Sequence, residues 1–114
     1  MIKNVTIGDK ELVLVANGAT PYRYRQVFGS DLMNELNYIT DKEDMGKSVD
    51  VVSKMAFIMK NQAEKADMSR LTEDMFIEWL EQFETMDIIA ASHDIFAIYM
   101  SNMKSESVAK KKEK

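Results

Sequence analysis

Ser48-Val49-Asp50-Val51-Val52-Ser53-Lys54-Met55-Ala56-Phe57-Ile58-Met59-Lys60-Asn61-Gln62-Ala63-Glu64 is the stretch on which the fold turns. Its middle, Met55-Ala56-Phe57-Ile58-Met59, sets five apolar residues in succession. At 3.6 residues per turn such a run covers more than one side of a helix, so a helix over about 49–64 has to be central and surrounded. Ser48 is the residue placed to cap it.

Downstream, the stretch from Ala66 to Leu71 breaks the pattern, and Thr72 opens another helix with Glu73 and Asp74 against the positive end of its dipole. Met75, Phe76, Trp79, Leu80 and Phe83 form one apolar stripe there, with Asp74, Glu78 and Glu81 opposite. The last helix, about Met86 to Met103, carries Ile88, Ile89, Ile95, Phe96, Tyr99, Met100 and Met103 at similar spacing. Residues 104–114 hold five lysines, two glutamates and one larger apolar residue, Val108, and read as a disordered basic tail.

Upstream, Val5-Thr6-Ile7 and Leu12-Val13-Leu14-Val15 flank Gly8-Asp9-Lys10 as the strands and turn of a hairpin. The second strand is apolar on both faces, which calls for cover on both, from the chain's own helices or from a neighbour. Thr20-Pro21 reads as a helix start, with the threonine as N-cap. That helix runs to about Phe28 and stops at Gly29; Ser30 or Asp31 then caps a shorter helix ending near Tyr38. Thr40 to Lys47 is a polar loop. The expected architecture is mainly α, a single domain over residues 1–103 of about four to five helices with a small N-terminal β-hairpin.

Composition narrows the function. The 114 residues contain no cysteine, which removes disulfides, thiolate nucleophiles and cysteine-rich zinc sites and fits a cytoplasmic protein. No apolar run approaches the roughly 18 residues that span a bilayer, so no membrane partner is expected. From Glu64 to Asp94 nine acidic residues face only Lys65 and Arg70. Phosphate neutralisation needs clustered Lys and Arg, so nucleic acid is not the expected partner either. The best nucleic-acid candidate is Tyr22-Arg23-Tyr24-Arg25, which interleaves aromatic and basic residues as single-strand sites do. A small nucleic-acid-binding regulator using Tyr22 to Arg25 is therefore the alternative function.

Catalytic constellations are not legible. The single histidine, His93, has no placed partner, no serine lies in a Gly-x-Ser-x-Gly setting, and the four glycines are scattered. Asp41 to Val52 matches the first, third and sixth places of a calcium loop, but Met45 and Val52 occupy places that need oxygen ligands. The expectation is no enzyme, no metal and no cofactor.

Ten methionines are what stands out. Methionine fills irregular cores, and it also recurs on surfaces that must accept many apolar sequences. A core of this size has little room for every aromatic and methionine of the last two helices. Phe83, Met86, Phe96, Met100 and Met103 are accordingly the expected partner-binding residues, with Trp79 anchoring the core. The same surplus of apolar surface predicts a homo-oligomer.

The order of several motifs carries a resemblance. Ala19-Thr20-Pro21-Tyr22-Arg23-Tyr24-Arg25-Gln26-Val27-Phe28-Gly29-Ser30-Asp31-Leu32, then Lys54-Met55-Ala56, then Trp79-Leu80-Glu81-Gln82-Phe83, resembles the tail assembly chaperones of phages and prophages of Gram-positive bacteria. The resemblance implies a host-cytoplasmic protein that coats the long helical tape-measure protein, keeps it from aggregating and helps deliver major tail protein to the growing tube. Family members are often made in two lengths by ribosomal frameshifting, and Lys110-Lys111-Lys112 is compatible with a slippery adenine run.

Overall fold

The computed structural model describes the backbone of residues 2–112 and the side chains of residues 2–103. Strands β1 (Ile2–Ile7) and β2 (Lys10–Val15) pair antiparallel in the register Ile2↔Val15 to Ile7↔Lys10. Gly8 turns the chain with φ +65, a left-handed conformation that L side chains resist. Val5, Ile7 and Leu14 point into the core, whereas Ile2 and Val13 face out. The helices therefore cover one face of the hairpin, and the outer apolar face is left open.

Helix α1 (Thr20–Phe28) begins with Ala19, not Thr20, at its N-cap. The expected threonine cap is corrected by packing. Thr20 is fully buried, and its hydroxyl accepts the Asn17 N–H at 3.1 Å and Gln62 Nε2 at 3.1 Å. Gln62 Nε2 also donates to the Val15 carbonyl at 2.8 Å, so one side chain clamps the strand end to the helix start. Gly29 ends α1 in the left-handed region, its N–H donating to Arg25 O.

Asp31 caps α2 (Leu32–Lys42) by accepting the Met33 N–H. This helix runs past Tyr38, because Ile39 is buried beneath its last turn and the Thr40 hydroxyl bonds back to Leu36 O. Most of the expected polar loop is thus helical, and α3 (Met45–Ala63) starts early, capped by Asp44 in place of Ser48. Aspartate is at least as good a cap as serine, and starting there puts Lys47 in the first turn, where it reaches Glu35 of α2 at 2.7 Å. Val51, Val52, Met55, Ala56, Phe57, Ile58 and Met59 are all buried, as their uninterrupted apolar run requires. Around α3 are packed β2, α1, α2, α4 and α5.

A 3₁₀ turn over Met68–Arg70, capped by Asp67, leads to α4 (Glu73–Leu80), and Thr72 caps that helix through Met75 N–H at 3.2 Å. The helix ends at Leu80, so Phe83 lies in the following turn. Its ring sits 5.1 Å from Trp79, the end of an aromatic chain running through Phe57, Phe76 and Phe28 to Tyr24. Helix α5 (Thr85–Lys112) packs against α3 and β1. The tail expected over 104–114 lies outside the residues whose side chains are described.

Candidate functional site

Phe96, Met100 and Met103 follow one another at i, i+4 and i+7 and so share a flank of α5. Phe96 is half-buried and lines a groove of about 250 Å³ between α2 and α5, whose other walls are Ile39, Thr40, Ser92 and His93, with Ser48 and Val52 of α3 below. Farther along, the Tyr99 hydroxyl approaches Met33 Sδ at 3.9 Å, joining the same two helices. Met100 is 38% exposed on this flank, and Met103 packs partly against the core. The structure thus brings three of the five expected contact residues to one side of α5.

The other two lie elsewhere. Met86 is 70% exposed in the first turn of α5, fourteen residues before Met100 and so about 21 Å away along the axis. Phe83 packs on Trp79 at the corner before it, half-buried. Sequence reasoning missed Met33, Met45 and Met75, exposed by 37%, 71% and 42%. Met75 belongs to the apolar stripe read from the sequence. Met33 and Met45 carry no signal beyond their residue type, the first on a short helix and the second in the expected polar loop.

A buried polar connection lies beside the groove. Tyr24, wholly inaccessible, donates its hydroxyl to Glu35 Oε1 at 2.7 Å, and Lys47 Nζ bonds Glu35 Oε2 at 2.7 Å, so one carboxylate ties α1, α2 and α3 together. Burial alone would raise the Glu35 carboxyl, but the hydrogen bonds from Lys47 and Tyr24 and the charges of Lys47 and Lys54 hold it below its usual value. Burial, then the bond to Glu35, pushes the Tyr24 hydroxyl far up, and the bond to Glu35 raises Lys47.

On α1, Tyr22 is 53% exposed and has the guanidinium carbons of Arg23 and Arg25 at 5.9 and 5.8 Å from its ring centre. Arg23 donates to Gln26 Oε1 at 2.9 Å. His93 shares the groove with Ser48 and Ser92, and the Ser92 hydroxyl donates to Ile88 O. Among the described residues no group of three acidic or histidine side chains is arranged to hold a metal ion. No helix among them is long and apolar enough to cross a membrane.

Comparison with protein-family models, with characterised proteins and with solved structures finds no match to this chain.

Proposed function

We propose that this chain is a non-catalytic assembly chaperone of the phage tail type, holding apolar helical segments of a tape-measure protein against the methionine-bearing flanks of α2 and α5. The observation that carries the reading is the exposure of methionine. Met33, Met45, Met75, Met86 and Met100 are each at least 37% exposed, although methionine is among the residues most often buried. Flexible, polarisable side chains on a surface let one site bury many different apolar sequences. The acidic residues around α4 keep such a surface soluble when it is empty, through like-charge repulsion. The order of sequence motifs is what points to the tape-measure protein as partner, to the host cytoplasm and to the major tail protein as a further contact, and the surplus of apolar surface is what points to self-association.

The test is co-expression with the tape-measure protein that this reading requires in the same genome. The wild-type chain is expected to keep that protein soluble and to co-purify with it, and Met100→Ser to lose much of the co-purified material at unchanged melting temperature. A tape-measure protein that aggregates equally with and without the wild-type chain refutes the reading.

One observation favours a second reading. Tyr22 flanked by two guanidiniums is a geometry on which an unpaired base stacks and its phosphate binds. Single-stranded DNA or RNA bound tightly at physiological salt, and lost in Arg23→Ala/Arg25→Ala, would establish it in place of the first.

A further inference from the structure

Arg23 and Arg25 bring two like charges to the same tyrosine ring, and among the described residues neither forms an ion pair. The single side-chain hydrogen bond of the pair goes to a neutral amide, that of Gln26. The chain carries nineteen acidic residues at a net charge of −4, yet none of those among the described residues lies within pairing distance of either guanidinium. Two guanidiniums held beside one exposed aromatic face form a preorganised receptor for carboxylate or phosphate, because the planar fork of arginine binds either one bidentately.

The complementary surface is on the same molecule but out of reach. Asp74, Glu78 and Glu81 repeat at i, i+4 and i+7 on and just beyond α4, away from buried Phe76 and Trp79, and none of them is ion-paired among the described residues. Exposed Met75 and Ile77 lie on the two sides of this acidic row, offering apolar area to a docked aromatic ring. A cationic aromatic patch and an anionic apolar patch that do not meet within one chain can meet between two.

We propose that the Tyr22, Arg23 and Arg25 cluster of one copy docks on the Asp74, Glu78 and Glu81 face of a second copy. The contact is heterologous: different patches meet, the pair keeps one patch of each kind unused, one on each copy, and association continues beyond two unless the ring closes. Opposed patches of opposite sign also steer the encounter, which makes the association sensitive to salt. The proposal does not depend on the tape-measure reading, since it concerns the chain alone.

The experiment is sedimentation velocity on the full chain over a range of concentrations, in low and in high salt. Concentration-dependent association is expected at low salt, with the dissociation constant rising at least about tenfold at high salt. Arg23→Ala/Arg25→Ala and Glu78→Gln/Glu81→Gln are each expected to stay monomeric alone, with circular dichroism spectra like wild type. Mixed in equal amounts they are expected to form a heterodimer and to stop there, because each variant retains one of the two patches. A wild-type chain that is monomeric throughout, variants that associate as wild type does, or variants that fail to complement each other would each overturn the proposal. Binding of a labelled single-stranded oligonucleotide that depends on Arg23 and Arg25 would also overturn it, by giving the patch to nucleic acid.

Discussion

Replacing Tyr24 by phenylalanine removes one oxygen atom from a buried polar contact. The hydroxyl sits on a side chain with no accessible surface and donates at 2.7 Å to a carboxylate that is itself nearly buried. A hydrogen bond to a charged partner contributes about 1.5–3 kcal/mol net. The upper end does not apply, because Glu35 keeps Lys47, whose side chain is 38% exposed and so partly screened. We expect Tyr24→Phe to cost about 2 kcal/mol. With the usual unfolding entropy per residue, a 114-residue chain loses about 8 °C of melting temperature for that amount. Glu35→Ala is expected to cost more, about 3 kcal/mol, because it strands the buried Tyr24 hydroxyl as well as freeing Lys47. The double variant should then lose less than the two single losses combined, since the stranded hydroxyl is gone. Urea unfolding of the four proteins, followed by Trp79 fluorescence, gives the coupling directly. Additive losses, or a Tyr24→Phe protein as stable as wild type, would show that the Tyr24–Glu35 bond does not hold the three helices together.

The same groups set the pH range of stability. Glu35 is held below its ordinary value near 4.5, so its contribution is complete above that pH and is lost as pH falls through the lowered folded value. Tyr24 is raised above its ordinary 10.0, so its contribution is present below pH 10 and lost as pH rises beyond it; the alkaline limb of a melting-temperature profile should flatten in Tyr24→Phe. Gly8→Ala is expected to destabilise by about 1–2 kcal/mol, since φ is +65 there and an added Cβ would lie 2.8 Å from Asp87 Oδ2; adding Asp87→Ala should recover only the steric part in thermal melts. Phe96→Ser, which removes a ring packed on the core, should lower stability by about 2–3 kcal/mol, whereas Met86→Ser at 70% exposure should stay within about 0.5 kcal/mol in the same denaturant titration.

Apolar periodicity made the elements legible, and it failed where tertiary contacts chose between equivalent local options. The buried run Met55 to Met59 announced its position because no other arrangement hides five apolar residues in a row. Gly29 and Thr72 behaved as punctuation because their roles are local, a left-handed stop and a hydroxyl cap. Thr20 had the sequence of a cap, but Gln62, forty-two residues later, competes for its hydroxyl. Ser48 has the sequence of a cap, but the helix starts at Asp44, and the Lys47–Glu35 pair that goes with the earlier start joins two helices, a contact no single-helix pattern encodes. In the candidate site, Phe96, Met100 and Met103 could be grouped by helical spacing alone. Phe83 could not be placed, because its stripe continues past the end of α4 and only the turn at Leu80 shows that the helix has stopped. The groove floor of Ser48 and Val52 depends on how α2 and α5 straddle α3, which periodicity does not determine.

The seat of the hairpin has a consequence for how the chain is made. Val5 and Ile7 are covered only when β1 lies against α5, whose first residue is Thr85, roughly eighty positions later. At about 5–20 residues per second, a nascent hairpin waits several seconds on the ribosome with its apolar side uncovered. A two-stranded ribbon is scarcely stable by itself, so a segment synthesised ahead of the helices that cover it is among the last to be locked in place. Strand β1 thereby acts as a latch that closes once α5 has emerged, and during that interval the hairpin is open to any other strand within reach.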